Sequence, residues 1–364
     1  MMTVLLVTGG AGFIGANFVR HWHAKNPADT IVVLDALTYA GNLANLKGLG
    51  EAVSFVQGDI CDEPLLAKLF AKHDFATVVH FAAESHVDRS IADPAAFIRT
   101  NVHGTHALLQ AALVQWKGKD GRRFHHVSTD EVYGSLGPND PAFTETTPYD
   151  PRSPYAASKA SSDFLVRAYA HTYGLPVTIS NCSNNYGPYQ FPEKLIPLML
   201  LHALTGKKLP VYGDGKNVRD WIHVEDHCAM IATILERGRV GETYNVGGDA
   251  ELANIDLVHM LCDLVDRRIA SDIALAAQFP DCPATQGESC RALISYVKDR
   301  PGHDRRYAID YAKIKREFGA PPRRSPADGL AATLDWYLTN RDWWRAIQSG
   351  DYRKWIAQHY GMAV

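Results

Sequence analysis

The chain has 364 residues, 46% hydrophobic and 21% charged, with 37 basic and 40 acidic side chains and a formal net charge of −3. That length suggests about two domains, and the composition excludes a disordered, collagenous or coiled-coil chain. The charge balance is even and the basic clusters, such as Arg305-Arg306 and Arg323-Arg324, are only pairs, so no nucleic-acid partner is expected. No apolar run reaches the ~20 residues of a membrane span, since Leu195 to Leu204 is interrupted by Pro197 and His202. Met1 to Val7 lack a basic lead and run straight into glycines, unlike a signal peptide. Six Cys without a C-x-x-C pair suggest neither a disulfide framework nor a zinc site, and Cys282 with Cys290 is a disfavoured pair. A cytosolic protein with no metal is expected.

Short apolar runs then alternate with helical patterns, which predicts an α/β chain with a doubly wound parallel sheet. Strands are predicted at Thr3 to Thr8, Thr30 to Asp35, Val53 to Gln57, Thr77 to Phe81, Phe124 to Ser128 and Val177 to Asn181. Helices are predicted at Phe13 to Lys25 and at Pro64 to His73, the latter with Asp62 as N-cap. Leu108, Leu109, Ala112, Leu113 and Trp116 form one helical apolar face. A longer helix runs from about Ser153 to Tyr173, with Ala157, Ala160, Phe164 and Ala168 as a stripe that reads most simply as core, the alternative being a helix face that meets a partner subunit. After strand six the pattern becomes irregular, marking a smaller second domain. Ser271 to Ser289 has little periodicity and reads as a surface insertion or long loop.

Gly9, Gly12 and Gly15 have G-x-x-G-x-x-G spacing between the first strand and the first helix. Such a loop brings backbone N–H groups against a pyrophosphate at the positive end of a helix. Asp35 follows 20 residues after Gly15 at the end of strand two, where an acid holds ribose hydroxyls and repels a 2′-phosphate. NAD is therefore expected over NADP. The competing reading is an ordinary βα turn. Asp59-Ile60, after strand three, can meet the adenine or simply cap a turn.

Tyr155 and Lys159 stand four apart on one helix face. A lysine beside a tyrosine lowers the phenol pKa, so the phenolate can take a proton from a substrate hydroxyl. Against this stands an exposed helix with its lysine in solvent. Strand five ends in Thr129-Asp130-Glu131, where doubly wound sheets bind ligands. Thr129 can bond the reacting hydroxyl, and paired carboxylates in unlike environments can act as acid and base. The alternative is a helix cap or turn.

Together these residues resemble the extended short-chain dehydrogenase/reductase superfamily, and the Asp130-Glu131 pair resembles its nucleotide-sugar 4,6-dehydratases. The runs Ala82 to Asp88, Asn184 to Tyr189, Pro192 to Pro197 and Asp299 to His303 are similar to the dTDP-glucose 4,6-dehydratase family, from roughly Val4 to Tyr352. The segment after Gly137 looks shorter and Ser271 to Ser289 longer than expected, both outside the matching motifs.

The resemblance implies a Rossmann-like NAD-binding domain over 1–180, with return segments near 213–245, and a nucleotide-sugar-binding part mainly over 181–364. It implies oxidation at C4, loss of water across C5 and C6, and hydride return to C6, with NAD recycled and dTDP-glucose as substrate. Tyr155 would be the base for the C4 hydroxyl, Thr129 its orienter and Lys159 the grip on the nicotinamide ribose. Glu131 would be the C5 base and Asp130 the acid at the C6 hydroxyl. Further cofactor contacts are implied at Phe13, Ile14, Thr38, Ile60, Ala82, Ala83, Thr100 and Asn185. Substrate contacts are implied at Ser85, Asn184, Lys194, Leu195, Pro210, Val211, Tyr212, Arg219, Asn254, Arg300 and His303. Arg219 also suits a diphosphate on chemical grounds, against a surface ion pair with Asp220, while His303 can equally be a solvated loop histidine. Cys182 and Cys228 read as core. A homodimer is expected through the helix of Leu108 and Trp116 and the helix of Tyr155.

The rivals are a UDP- or CDP-sugar dehydratase, a nucleotide-sugar 4-epimerase, and a non-catalytic NAD-binding regulator. An epimerase needs no elimination, so Asp130-Glu131 argues against it. A regulator would be suggested by loss of Tyr155 or Lys159, and both are present.

Overall fold

A computed structural model describes residues 3–299, 302–319 and 323–349. The strands Val4–Thr8 (β1), Thr30–Asp35 (β2), Val53–Gln57 (β3), Thr77–His80 (β4), Arg123–Thr129 (β5) and Val177–Cys182 (β6) lie within a residue or two of the apolar runs that predict them. With Thr243–Val246 they form a seven-stranded sheet in the order Thr243–Val246, β6, β5, β4, β1, β2, β3. Every pairing in it is parallel. β1 lies between β2 and β4, so the strand order reverses there and opens a crevice at the carboxyl ends.

Alternation along the strands supplies the two faces. Leu6, Val32, Leu34, Val78 and Phe124 pack with Leu66, Phe70, Leu108, Leu109, Ala112, Trp116 and Val166. Leu5, Val7, Ile31, Val33 and Val79 pack with Phe18, Val19, Trp22, Val224, Cys228 and Ile231 on the other side. Helices therefore cover both faces of a Rossmann-like sheet. The caps fit the local sequence: Asp62 Oδ1 accepts from Leu65 N at 3.0 Å, and Ser153 Oγ from Ala156 N at 3.0 Å.

The chain divides into two compact units, 1–185 with 218–251 and 302–323, and 186–217 with 252–301 and 324–364. The third piece of the first unit lies in the part of the sequence given above to sugar binding. It is fixed by main-chain bridges that no side-chain periodicity announces, Phe143 with Ile309 and Val218 with Arg306. The second unit contains the helices Leu195–Leu204, Asn254–Ala270 and Pro326–Thr339. It also pairs Leu209–Tyr212 with Ile294–Val297 in parallel.

Two expectations are corrected. In the helix Pro154–Tyr173 the buried residues are Tyr155, Ala156, Ser158, Lys159, Ala160, Ser162, Asp163, Val166 and Tyr169. Of the Ala157/Ala160/Phe164/Ala168 stripe, Ala160 is buried as expected and Ala157 half-buried, but Phe164 is 55% exposed and Ala168 is exposed, so half of it faces outward. The sheet side is polar because it carries a buried charge network. Ser271 to Ser289 is no plain loop: it holds the short helix Ile273–Ala276 and the 3₁₀ turn Pro283–Gln286. Leu275, Phe279 and Cys282 anchor it in the interior one at a time, a spacing with no period to detect. Cys282 and Cys290 are free thiols with sulfurs 3.7 Å apart. Among the described residues no helix is long and apolar enough to cross a membrane.

Candidate active site

Gly9 has φ +68°, and a Cβ there would lie 2.6 Å from Ala82 N; a Cβ on Gly15 would lie 2.3 Å from Gly9 O. Only glycine lets the loop close on β4 and the helix sit down on the loop. Next to Gly12 the nearest atom to a built Cβ is Gly9 O at 3.2 Å, leaving its outer side open. No side chain caps the helix Phe13–Lys25, so its positive end is available to an anion. Asp35 braces the loop, with Oδ2 accepting from Ala11 N at 3.0 Å and Oδ1 from Leu37 N at 2.8 Å. Burial raises its carboxyl above the ordinary range, against the backbone N–H groups of Leu37, Ala11 and Gly12. Hydroxyl donors relieve such a group and a phosphate would not. An open glycine cradle with this acid fits NAD.

Other residues implied in cofactor binding are placed as follows. Asp59 closes a turn on Cys61 N at 2.8 Å and pairs with Arg99 at 2.7 Å, the structural role its spacing allows. Ile60 is buried, Thr38 exposed, and Ala83 and Thr100 half-buried. Ala82 N donates to Thr8 Oγ1 at 3.3 Å, and Asn185 Oδ1 meets His227 Nδ1 at 2.9 Å.

β5 ends at Thr129 and passes into the 3₁₀ turn Asp130–Tyr133, whose cap is Thr129: Glu131 N donates to its Oγ1 at 3.3 Å. The capping alternative thus belongs to Thr129 and not to the carboxylates. Asp130 is 2% exposed. Its Oδ1 accepts from Thr129 Oγ1 at 3.3 Å, while its buried Oδ2 has no hydrogen-bond partner. Burial, then Glu131 and Asp220, push its carboxyl far above the usual range, with Arg219 and Thr129 pulling the other way. A carboxyl shifted in that direction holds its proton more readily than a free one, as a proton donor must. Glu131, beside it, is only half-buried.

Tyr155 and Lys159 are both buried, at 8% and 4% exposure, which rules out the solvent-lysine reading. Lys159 Nζ donates to Val127 O at 2.8 Å and lies 3.5 Å from His126 Nε2. The expected lowering of the phenol is overturned: burial, then Glu131 and Cys182, hold Tyr155 well above its ordinary value. A hydrogen bond with Thr129 offsets part of this. The ammonium is turned toward a carbonyl, and burial outweighs it.

Arg219 is 6% exposed and not a surface ion pair. Its guanidinium donates to Val218 O at 2.8 Å and Asp304 O at 2.9 Å, with its carbon 4.4 Å from the Tyr307 ring centre. The Asp220 carboxylate is bonded to Gly248 N at 2.8 Å and Ala250 N at 2.7 Å. Ser85 is exposed, and Asn184 and His303 half-buried. In the second unit, Lys194 precedes the helix that Leu195 opens. Pro210, Val211 and Tyr212 lie on Leu209–Tyr212, and Asn254 opens its helix with a buried, unpartnered Oδ1. Arg300 lies outside the described residues. Among those residues no group of three or more side chains could hold a metal ion.

Sequence reasoning missed Asn101. It sits in a π-helical turn, Ile98–Gly104, accepting from Glu84 N at 2.8 Å and donating to Ser158 Oγ at 2.8 Å. It thereby ties the Tyr155–Lys159 motif to the end of β4. Such turns occur at functional sites but leave no mark in a 3.6-residue period.

A family model described as GDP-mannose 4,6 dehydratase matches residues 6–333. A dTDP-glucose 4,6-dehydratase of Xanthomonas campestris is 55% identical over 360 residues, covering 97% of this chain and 98% of its own. DesIV, the dTDP-glucose 4,6-dehydratase of Streptomyces venezuelae solved with NAD and TYD bound, is 49% identical with a TM-score of 0.83, covering 95% of this chain and 100% of its own. The UDP-glucose 4-epimerase of Thermotoga maritima, solved with UDP-glucose, shares the fold at a TM-score of 0.80 over 93% of this chain and 100% of its own, but only 26% of residues. The chain belongs to the GDP-mannose 4,6 dehydratase family and, within it, to the dTDP-glucose 4,6-dehydratases of the extended short-chain dehydrogenase/reductase superfamily.

Proposed function

We propose that the protein is an NAD-dependent hydro-lyase that converts dTDP-glucose to dTDP-4-keto-6-deoxy-glucose. The observation that carries this reading is Asp130, a buried carboxyl with an unpartnered oxygen beside Glu131 and Thr129. NAD, when bound, supplies the hydride acceptor for C4, the hydride returned to C6, and positive charge beside Tyr155. The glycine loop and Asp35 hold it. Thr129 orients the C4 hydroxyl and Tyr155 takes its proton. The resulting ketone acidifies C5, whose proton Glu131 removes. Asp130 gives its proton to the departing C6 hydroxyl, which leaves as water, and Glu131 returns a proton to C5 when C6 of the resulting alkene is reduced. Each acid–base step is worth about 10²–10⁴-fold.

An epimerase has no elimination for a proton donor at Asp130 to serve, and the epimerase relative is half as similar as the dehydratases. The choice of dTDP over UDP or CDP rests on the named relatives. Incubation with dTDP-, UDP- and CDP-glucose tests it: a 4-keto-6-deoxy product from dTDP-glucose first is expected, and a hydroxylated hexose would support the epimerase.

The sheet domain, 1–180 with its return segments, would hold NAD, and the remainder mainly the nucleotide sugar. A homodimer is also our reading, with its apolar contact revised. Leu108 and Trp116 face the sheet, whereas Val114, Phe164 and Tyr173 on the same two helices are 76%, 55% and 55% exposed. Pairing such faces gives a four-helix contact. Six free thiols agree with a cytosolic setting.

A further inference from the structure

Behind Lys159 lies a buried polar network that no step of the proposed reaction uses. Asp163 follows Lys159 by one helical turn on the same face, and its carboxylate is fully buried. Its Oδ2 accepts from Ser128 Oγ at 2.9 Å and Tyr149 Oη at 2.8 Å. Tyr149 Oη in turn accepts from Arg167 Nη2 at 2.8 Å and Asn181 Nδ2 at 3.0 Å. The other oxygen, Oδ1, lies 3.2 Å from His126 Nε2, and that same nitrogen lies 3.5 Å from Lys159 Nζ. One imidazole edge therefore stands between ammonium and carboxylate, with all three groups shut off from water.

A buried charge without a counter-charge is costly, and an ammonium in that position sheds its proton. We propose that Asp163 is a positioning residue for Lys159, supplying through the interposed His126 the counter-charge that keeps the ammonium ionised and its Nζ on the Val127 carbonyl. The inference rests on the role given to Lys159 in the dehydratase reading. It explains why the helix turns a Lys, an Asp and two serines toward the sheet while Phe164 faces outward.

The electrostatics agree. Burial lowers the Lys159 ammonium, and Asp163, then Cys182, push it back up. Burial raises the Asp163 carboxyl to about 6, with Lys159, Ser128, Tyr149 and Arg167 opposing. The other titratable groups facing the pair are His126 on β5, His80 on β4, Cys182 on β6, Tyr155 on the same helix, and Tyr133 and Tyr149 from the chain after β5. His80 and His126 are held well below the ordinary imidazole value by burial, so neither supplies charge at neutral pH. Asp163 Oδ1 makes no aligned hydrogen bond with His126, so its charge acts past the imidazole edge, 3.2 Å from Nε2.

Asp163→Asn is the appropriate change. The amide oxygen can still accept from Ser128 and Tyr149, and its NH₂ can donate to His126 Nε2 in the other tautomer, so the packing is kept and only the charge is lost. The holoenzyme is labelled with [13Cε]lysine, and the Lys159 signal is identified by its absence in Lys159→Met. Its titration midpoint should fall by one pH unit or more in Asp163→Asn and return toward the parent value in Asp163→Glu. The alkaline limb of turnover on dTDP-glucose should move down by the same amount. If Asp163→Asn does not fold, Asp163→Ser, neutral and smaller, reads the same midpoint. A Lys159 midpoint unchanged in the neutral variant overturns the proposal, even where stability drops. The lysine titration needs no substrate, so inactivity of the parent on dTDP-glucose would sink the dehydratase reading and leave this measurement decisive by itself.

Discussion

The Asp35 carboxylate accepts a hydrogen bond at 3.0 Å from the N–H of Ala11, inside the glycine loop. The residue proposed to hold the adenosine ribose thus also shapes the loop that would carry the pyrophosphate. Asp35→Ala should lose bound NAD, measured by denaturing the protein and assaying the supernatant. It should also cost about 1–3 kcal/mol of stability through the stranded N–H groups of Ala11 and Leu37. Asp35→Asn, whose single amide oxygen can accept from only one of those N–H groups, should keep part of that stability yet still loosen the cofactor. NAD retained at parental level in both variants would remove Asp35 from the cofactor site.

Arg219 makes two carbonyl hydrogen bonds and stacks near Tyr307. Arg219→Lys keeps the charge but loses the planar fork that can grip a diphosphate. KM for dTDP-glucose should rise by about 10–100-fold, or roughly 1.4–2.8 kcal/mol, with a smaller change in kcat. An unchanged KM would confine Arg219 to a structural role.

Phe164 and Val114 lie exposed on two adjacent helices. Phe164→Glu places a charge where a second copy would pack, and light scattering should show a shift from dimer to monomer. A monomeric parent at micromolar concentration would contradict the proposed assembly.

His80, His125, His126 and His227 are buried and held below the ordinary imidazole value by burial, His227 at about 3. A basic group whose pKa is lowered by folding contributes stability above its unfolded value, near 6.5, and loses it as pH falls. Stability should therefore drop below about pH 6.5, by up to ~1.4 kcal/mol per pH unit for each histidine. The raised carboxyl of Asp163 works oppositely, its contribution present below about 3.8 and lost as pH rises through about 6. The loss should thus set in below about pH 6.5 and steepen toward about pH 5, Asp163 offsetting at most one of the four histidines, read as the urea midpoint against pH. A flat profile there would mean these histidines are not neutral in the folded state.

The sheet was legible because its strands are short and its first ones mostly apolar, punctuated by glycine and acid, as in Val4–Thr8 followed by the loop to Phe13. The candidate cluster was marked out by type and spacing, Tyr155 with Lys159 and Asp130 with Glu131. Their electrostatic state was not, because desolvation depends on burial, and burial reverses the expectation for Tyr155. The helix Pro154–Tyr173 misled in part because polar residues such as Ser158, Lys159, Ser162 and Asp163 are buried while Phe164 of the apolar stripe is exposed. Asp163, His126 and Asn101 join through contacts 17 to 57 residues apart in sequence, which no local pattern encodes.

The two carboxylates carry the dehydratase reading, and isotope exchange in heavy water separates them. With dTDP-glucose, the parent should give a keto sugar lighter by one water that carries a solvent deuteron at C5. Asp130→Asn, still holding the C5 base, should return substrate deuterated at C5 while eliminating water about 10²–10⁴-fold more slowly. Glu131→Gln should leave C5 unlabelled, with little product, although bound NAD is partly reduced. Mass spectrometry of recovered substrate and product is the decisive measurement. Label at C5 with parental turnover in both variants would show that Asp130 and Glu131 take no part in the elimination, and would contradict the proposed chemistry.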